Sequence, residues 1–180
     1  MSDDLKHFHA WYLKTLKSLY PVRDAGIPVL MVSMPLLERY LRQKNGRTPE
    51  QPLDDACMGT LRGIFPVLPD IASAWRFWQV YRNGFLHQVT LSLRTRAGTA
   101  LPSSELTHDI AEPIQVRRDG SFVLHPVLFS KLATATIEAD FATFVGAGTP
   151  APKLPEVVAY VSPSVSGIPT PNVMLGTKGG

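Results

Sequence analysis

Hydrophobic residues recur every three or four positions through most of the chain, a spacing that predicts amphipathic helices. The predicted helices are Asp3–Tyr20, Ile27–Lys44, Leu53–Ile64, Asp70–His87 and Pro126–Val145. Asp70 is a natural N-cap for the fourth helix, and Gly146 is a natural stop for the fifth. Pro35 lies inside the second helix, so we expect a kink there or a boundary near Met34.

The hydrophobic period changes to two at Val89, where apolar and polar residues begin to alternate as they do in a strand. Residues 97–104 are predicted to form a loop. Two further strands, 114–118 and 121–125, flank Asp119-Gly120, a pair that favours a tight hairpin because both residues tolerate positive φ. We therefore expect an antiparallel sheet of two or three strands, inserted at residues 89–125.

The chain changes character again near Thr149, after which it holds six prolines and only three charged residues. Such a segment cannot build a core of its own. The pattern predicts one helical domain at residues 1–146 and a Pro/Gly-rich tail at 147–180. Within the tail, 157–161 has strand character and would dock either on the domain or on a partner.

The composition of the chain indicates what stabilises it and in which compartment it works. A chain of 180 residues can bury a core without metals or disulfides. Cys57 is the only cysteine, which argues against a structural zinc site and is typical of a protein in a reducing cytoplasm. It lies in a predicted helix, which favours a packed thiol over a catalytic nucleophile. The N-terminus is acidic, and the longest nearly apolar stretch, Ile27–Leu37, is shorter than the roughly 20 residues of a membrane span. We expect a cytoplasmic protein with no membrane contact.

The sharpest chemical signal is the run Arg82-Asn83-Gly84-Phe85-Leu86-His87 at the end of the fourth helix. Arg82 is a permanent cation that matches phosphate geometry, and His87 can transfer protons at neutral pH. Asn83 precedes His87 by four residues and therefore shares its face on a helix. Arg82 and His87 converge only if the helix ends or loosens near Gly84.

A cation beside a proton carrier, with no metal ligands in the motif, suits metal-independent cleavage of RNA. The 2′-hydroxyl attacks the phosphate, a base removes its proton, a cation stabilises the phosphorane and an acid protonates the leaving oxygen. This chemistry needs no cofactor and no metal, but it needs two proton-transfer groups. A two-fold homodimer would supply two copies of the motif.

An Arg-Asn-x-x-x-His motif at the end of an amphipathic helix in a short, mainly helical chain resembles the HEPN domain family (higher eukaryotes and prokaryotes nucleotide-binding). The resemblance implies a bundle of four or five helices, a homodimer and metal-independent endoribonuclease activity of the toxin or defence type. It implies that Arg82, Asn83 and His87 are catalytic. The inserted sheet and the proline-rich tail depart from the minimal bundle.

Other interpretations stay open. Arg82 is also suited to cap the C-terminal end of a helix, and His87 to be a core or cap histidine. Glu38 and Arg39 on the second helix either contact the motif, with Glu38 holding Arg82, or are solvated charges on the helix face, which is the commoner outcome for such residues. Trp75, Trp78 and Tyr81 are more typical of a core or interface than of base stacking. Arg94, Arg96, Arg117 and Arg118 form either a patch that guides RNA or outward strand residues that block edge pairing.

The net charge of +3 is compatible with a polyanionic partner without identifying one. Two alternative functions stay open. The protein is either a non-catalytic HEPN-like interaction module with an antitoxin-like protein partner, or a regulator that binds a nucleotide or another small molecule at the Arg/His pocket.

Overall fold

The computed structural model describes residues 2–85 and 104–146. Within these ranges the chain is mainly helical and carries a small three-stranded sheet. The elements are α1 (Asp3–Phe8), π1 (His9–Leu13), α2 (Lys14–Leu19), α3 (Gly26–Lys44), α4 (Asp55–Ile64), α5 (Ile71–Trp78), π2 (Gln79–Phe85), β1 (Glu105–Leu106), β2 (Ile114–Val116), β3 (Phe122–Leu124), α6 (Pro126–Ala139) and α7 (Phe141–Val145). None of the described helices has both the length and the apolar character needed to cross a bilayer.

The first predicted helix is confirmed as the continuous stretch α1–π1–α2. Ser2 caps its start, because the Ser2 hydroxyl accepts a hydrogen bond from the Leu5 N–H at 3.3 Å. Phe8, Leu13 and Leu16 are buried on its inner face. This helical stretch therefore joins the core along most of its length.

Helix α3 lies at the centre of the described fold and packs most extensively against α6. It runs without interruption through Pro35, so the predicted boundary near Met34 was wrong. A proline removes the hydrogen bond to the carbonyl four residues earlier, which here belongs to Met31. Met31 is 58% exposed, so Pro35 lies where the helix faces solvent, while the fully buried Leu30, Met34 and Leu37 hold the helix in the core.

Aspartates set the starts of α4 and α5. The Asp54 carboxylate accepts a hydrogen bond from the Cys57 N–H at 3.0 Å, so α4 begins at Asp55 rather than at the predicted Leu53. The Asp70 carboxylate accepts one from the Ser73 N–H at 2.7 Å, which confirms the predicted N-cap of α5. These bonds satisfy N–H groups that have no partner within the helix.

The hairpin around Asp119-Gly120 is confirmed: β2 and β3 are antiparallel, with Ile114 opposite Leu124, and Gly120 has a φ of 81°. The third strand differs from the prediction. β1 pairs with β3 in the parallel direction, which gives the order β1-β3-β2 and makes the sheet mixed rather than antiparallel. Two residues are too few for β1 to show any alternation in the sequence. The predicted strand at Val89–Leu93 lies outside the described residues.

The fifth predicted helix is divided into α6 and α7 at Asp140, whose backbone is not helical. The Asp140 carboxylate accepts hydrogen bonds from Tyr40 at 3.1 Å and Lys44 at 2.7 Å, which ties the break to α3. At the other end, the His125 side chain caps α6 and Pro126 is its first residue. Gly146, with a φ of 75°, ends α7 as predicted.

The sheet packs against the end of the fourth predicted helix. The fully buried Tyr81 shares the single proton of its hydroxyl between two carbonyls, those of Glu105 at 2.9 Å and Phe122 at 3.2 Å. Phe77 packs beside Tyr81, with ring centroids 4.9 Å apart. These contacts fix the inner face of π2 and so determine where the neighbouring Arg82 side chain lies.

Candidate functional site

Arg82 and Asn83 lie on π2, a segment in which the helix is widened so that backbone hydrogen bonds span five residues instead of four. Tyr81 and Gly84 are buried in this segment, whereas Asn83 is exposed. In the sequence, convergence of Arg82 and His87 required the helix to end or loosen near Gly84, and the wide turn of the structure runs from Gln79 to Phe85. Wide turns of this kind are frequent at functional sites.

The Arg82 guanidinium is held by Glu38 of α3. Arg82 Nε donates a hydrogen bond to Glu38 Oε2 at 2.7 Å. The sequence had left open whether Glu38 pairs with Arg82 or is a solvated charge on the helix face, and had favoured the solvated charge; the structure has the pair. The side chain of Glu38 is 14% exposed and that of Arg82 is 24% exposed. An ion pair at this depth fixes the orientation of the guanidinium better than a solvated surface pair can.

Glu38 serves a second arginine as well. Its other oxygen, Oε1, accepts hydrogen bonds from Arg42 Nε at 3.2 Å and Arg42 Nη2 at 2.8 Å. Arg42 is in turn bonded to the carbonyls of Thr48 and Gln51. The carboxylate therefore joins α3, π2 and the loop before α4 in one network.

The electrostatics of Glu38 follow from these two arginines. Burial alone would raise the pKa of Glu38, but the hydrogen bonds from Arg42 and Arg82 outweigh it and hold the pKa below its ordinary value. Glu38 is therefore ionised at neutral pH. Glu38, Arg42 and Arg82 together carry two positive charges and one negative charge, a net charge of +1.

The three residues of this network line a cleft of about 340 Å³. Its lining residues are Glu38, Arg42, Pro52, Leu53, Trp75, Trp78, Arg82 and Asn83. The Trp75 ring is half-buried in the wall, and its indole N–H donates a hydrogen bond to Asp55 at 2.7 Å. The cleft thus combines an aromatic ring, an exposed amide and lining side chains with a net charge of +1. That combination suits a ligand with a planar ring and an anionic group.

The other sequence candidates divide into two groups. His87, Arg94 and Arg96 lie outside the described residues. Arg117 is exposed and forms two hydrogen bonds of 2.7 Å with the Glu105 carboxylate across the sheet, while Arg118 is exposed. Neither Arg117 nor Arg118 lines the cleft.

Two structural interpretations from the sequence are confirmed. Trp78 and Tyr81 are core residues, at 3% and 0% exposure, so of the predicted aromatic stripe only Trp75 offers accessible ring surface. Cys57 is fully buried, and burial raises the pKa of its thiol, as expected for a packed side chain. Within residues 2–85 and 104–146, no three His, Cys, Asp or Glu side chains cluster as a metal site would require.

Arg42 is the residue that the sequence interpretation missed. It lies four positions after Glu38 on α3, which is the spacing of an ion pair on one helix face. That spacing was available in the sequence, but nothing in it indicated that one carboxylate holds Arg42 and Arg82 together, with Arg82 44 residues further along the chain than Glu38.

In comparisons with known proteins, no family model, no curated protein and no solved structure matches the chain.

Proposed function

We propose that this protein is a HEPN-like, metal-independent endoribonuclease that acts as a homodimer. The observation that carries the proposal is the Arg82–Glu38 pair, which holds a guanidinium in the wall of an open, net-positive cleft directly before the Asn83-to-His87 part of the motif. A positioned cation at a phosphate site is the main electrostatic requirement for this type of cleavage.

In the proposed mechanism Arg82 stabilises the charge that develops on the phosphorane. Arginine remains charged at every relevant pH and presents a planar set of donors that matches phosphate oxygens. The bond from Nε to Glu38 orients this plane before the substrate arrives, so little reorganisation is needed during the reaction. Glu38 is accordingly a positioning residue that acts through Arg82.

Asn83 and His87 supply the polar contact and the proton transfer. Asn83 is exposed and lines the cleft, and in the proposed mechanism its amide binds a phosphate oxygen. His87 follows Arg82 by five residues and lies outside the described residues. In the proposed mechanism His87 removes the proton of the 2′-hydroxyl or protonates the leaving oxygen.

A second copy of the chain completes the site, because one motif offers one histidine and the reaction needs both a base and an acid. Two motifs brought together across a two-fold axis supply both groups. Trp75 adds a ring on which an RNA base stacks in the cleft.

The test is cleavage of single-stranded RNA by the purified chain in excess EDTA. Wild type is expected to cut and to leave a 2′,3′-cyclic phosphate end, whereas Arg82→Ala and His87→Ala lose activity. Asn83→Ala is expected to cut more slowly while folding normally, since Asn83 is exposed. Arg23→Ala removes an exposed cation on a turn away from the cleft and serves as the matched control.

Cleavage that is as fast in Arg82→Ala and His87→Ala as in wild type would overturn the proposal. Absence of cleavage, together with thermal stabilisation of the protein by nucleotides, would favour the binding regulator over the nuclease.

A further inference from the structure

An apolar groove lies between the first helical stretch and α3, on a part of the surface that the nuclease proposal does not use. Its walls include Trp11, Tyr12, Met31, Val32, Leu36 and Arg39, and its volume is about 400 Å³. Trp11 is 47% exposed and Met31 is 58% exposed. Large side chains left this open in one groove are typical of a binding surface.

The described chain ends beside this groove. Arg39, in the groove wall, donates a hydrogen bond from Nε to the carbonyl of Phe144 at 3.1 Å, and its guanidinium lies over the Phe144 ring at 5.2 Å. Tyr12 also lines the groove. Its ring contacts the Phe8 ring, which in turn contacts the Phe144 ring. Gly146 comes two residues after Phe144, so the part of the chain after Gly146 begins near the edge of this groove.

The residues that follow have the chemistry that such a groove binds. Thr149–Glu156 reads Thr-Pro-Ala-Pro-Lys-Leu-Pro-Glu and contains three prolines, at 150, 152 and 155. Prolines favour the extended polyproline II conformation, and segments of this kind dock in grooves lined by aromatic side chains.

We propose that the proline-rich segment Pro150–Pro155 of the same chain occupies the groove between Trp11 and Met31. The nine residues that follow Gly146, up to and including Pro155, span up to about 30 Å when extended, which is enough to run from the edge into the groove. Polyproline II is preformed, so docking costs little conformational entropy. The covalent link also supplies a high effective concentration, so a weak contact is enough.

The test uses the full chain with ¹³C-labelled methionine methyl groups and a soluble gadolinium chelate, which broadens the signals of exposed methyls. Met31→Leu assigns the Met31 signal, and Met34 and Met58, both fully buried, are internal references. In wild type the Met31 methyl is expected to be protected. Replacing Pro150, Pro152 and Pro155 together by Ser should abolish that protection, whereas replacing Pro163, Pro169 and Pro171 by Ser should leave it intact.

A Met31 methyl that is equally accessible in wild type and in both variants would overturn the proposal. Protection that survives the change of Pro150, Pro152 and Pro155 would also overturn it. If that surviving protection is lost on dilution, the groove is covered by a second copy of the chain instead.

Discussion

At the scale of single residues, Glu38 has the largest consequences for the candidate site. One carboxylate forms ion pairs with two arginines that come from different elements, and all three side chains are largely withdrawn from solvent. Removing one partner from such a group leaves charge that is poorly solvated and poorly paired. Glu38 therefore contributes to stability and to the position of Arg82 at the same time.

Glu38→Gln is expected to lower the free energy of unfolding by about 1.5–3 kcal/mol, because it weakens charge-assisted hydrogen bonds to two arginines without changing the shape of the side chain. Urea unfolding at pH 7 measures the effect. Glu112→Gln, the same chemical change at an exposed position, is the control and should alter stability little.

The same variant carries a pH signature. The pKa of Glu38 is lowered in the folded state, so the folded protein binds its proton less readily than the unfolded chain does. The stabilisation is present above the unfolded pKa of about 4.3 and is lost as the pH falls through the lower folded value. The gap between wild type and Glu38→Gln should close on acidification, and a constant gap would contradict the account.

His125 provides a second residue-scale prediction. Burial lowers its pKa, with a further contribution from nearby His108, and its neutral Nδ1 accepts the capping bond from the Leu128 N–H at 3.3 Å. The cap is fully effective above the unfolded pKa of about 6.5, and stability is lost as the pH falls from there through the lower folded pKa.

His125→Asn should remove this pH dependence, because Asn caps a helix without titrating. Thermal unfolding between pH 7.5 and 5 measures it, with the exposed His7→Asn as control. A slope in His125→Asn as steep as that of wild type would show that another group titrates.

At the scale of elements, the helix that carries the motif combines a firm start with a widened end. Asp70 fixes the first turn of α5, and Tyr81 anchors π2 to the sheet through its two hydroxyl bonds. The widening between these fixed points lets Tyr81 face the sheet while Arg82 reaches α3. Helix ends and caps thus determine where the motif lies.

Asp70→Ala is expected to lower the free energy of unfolding by about 1 kcal/mol, since it removes the acceptor of the Ser73 N–H. Asp70→Asn keeps an acceptor and should cost much less. Chemical denaturation of the three proteins measures their free energies of unfolding. Equal stabilities of Asp70→Ala and wild type would contradict the assigned cap.

The elements that sequence predicts well are those whose cause is local. The helices and the Asp-Gly hairpin follow from periodicity and turn chemistry that a few neighbouring residues carry. The wide turn at Gln79 and the two-residue β1 depend on contacts across the fold, such as Tyr81 with Glu105. The continuity of α3 through Pro35 likewise depends on burial by other elements, which no local pattern reports.

At the scale of the whole molecule, the candidate site was partly accessible to sequence reasoning. The Arg82–Glu38 contact was one of two alternatives that the sequence left open, Arg42 was missed and the parallel strand was not foreseen. The fold brings α3 and π2 together, although they are far apart in the sequence. The proposed dimer belongs to the same scale, since the proposed chemistry requires a second motif.

The central claim is that Glu38 acts on RNA cleavage through Arg82, and a double-mutant cycle of cleavage rates in EDTA tests it most directly. Wild type should cut, Arg82→Ala should be slower by about 10²-fold or more, and Glu38→Gln should be slower by a smaller factor. The double variant should be no slower than Arg82→Ala alone. An Arg82→Ala enzyme that cuts at the wild-type rate, or two defects that multiply in the double variant, would contradict the account.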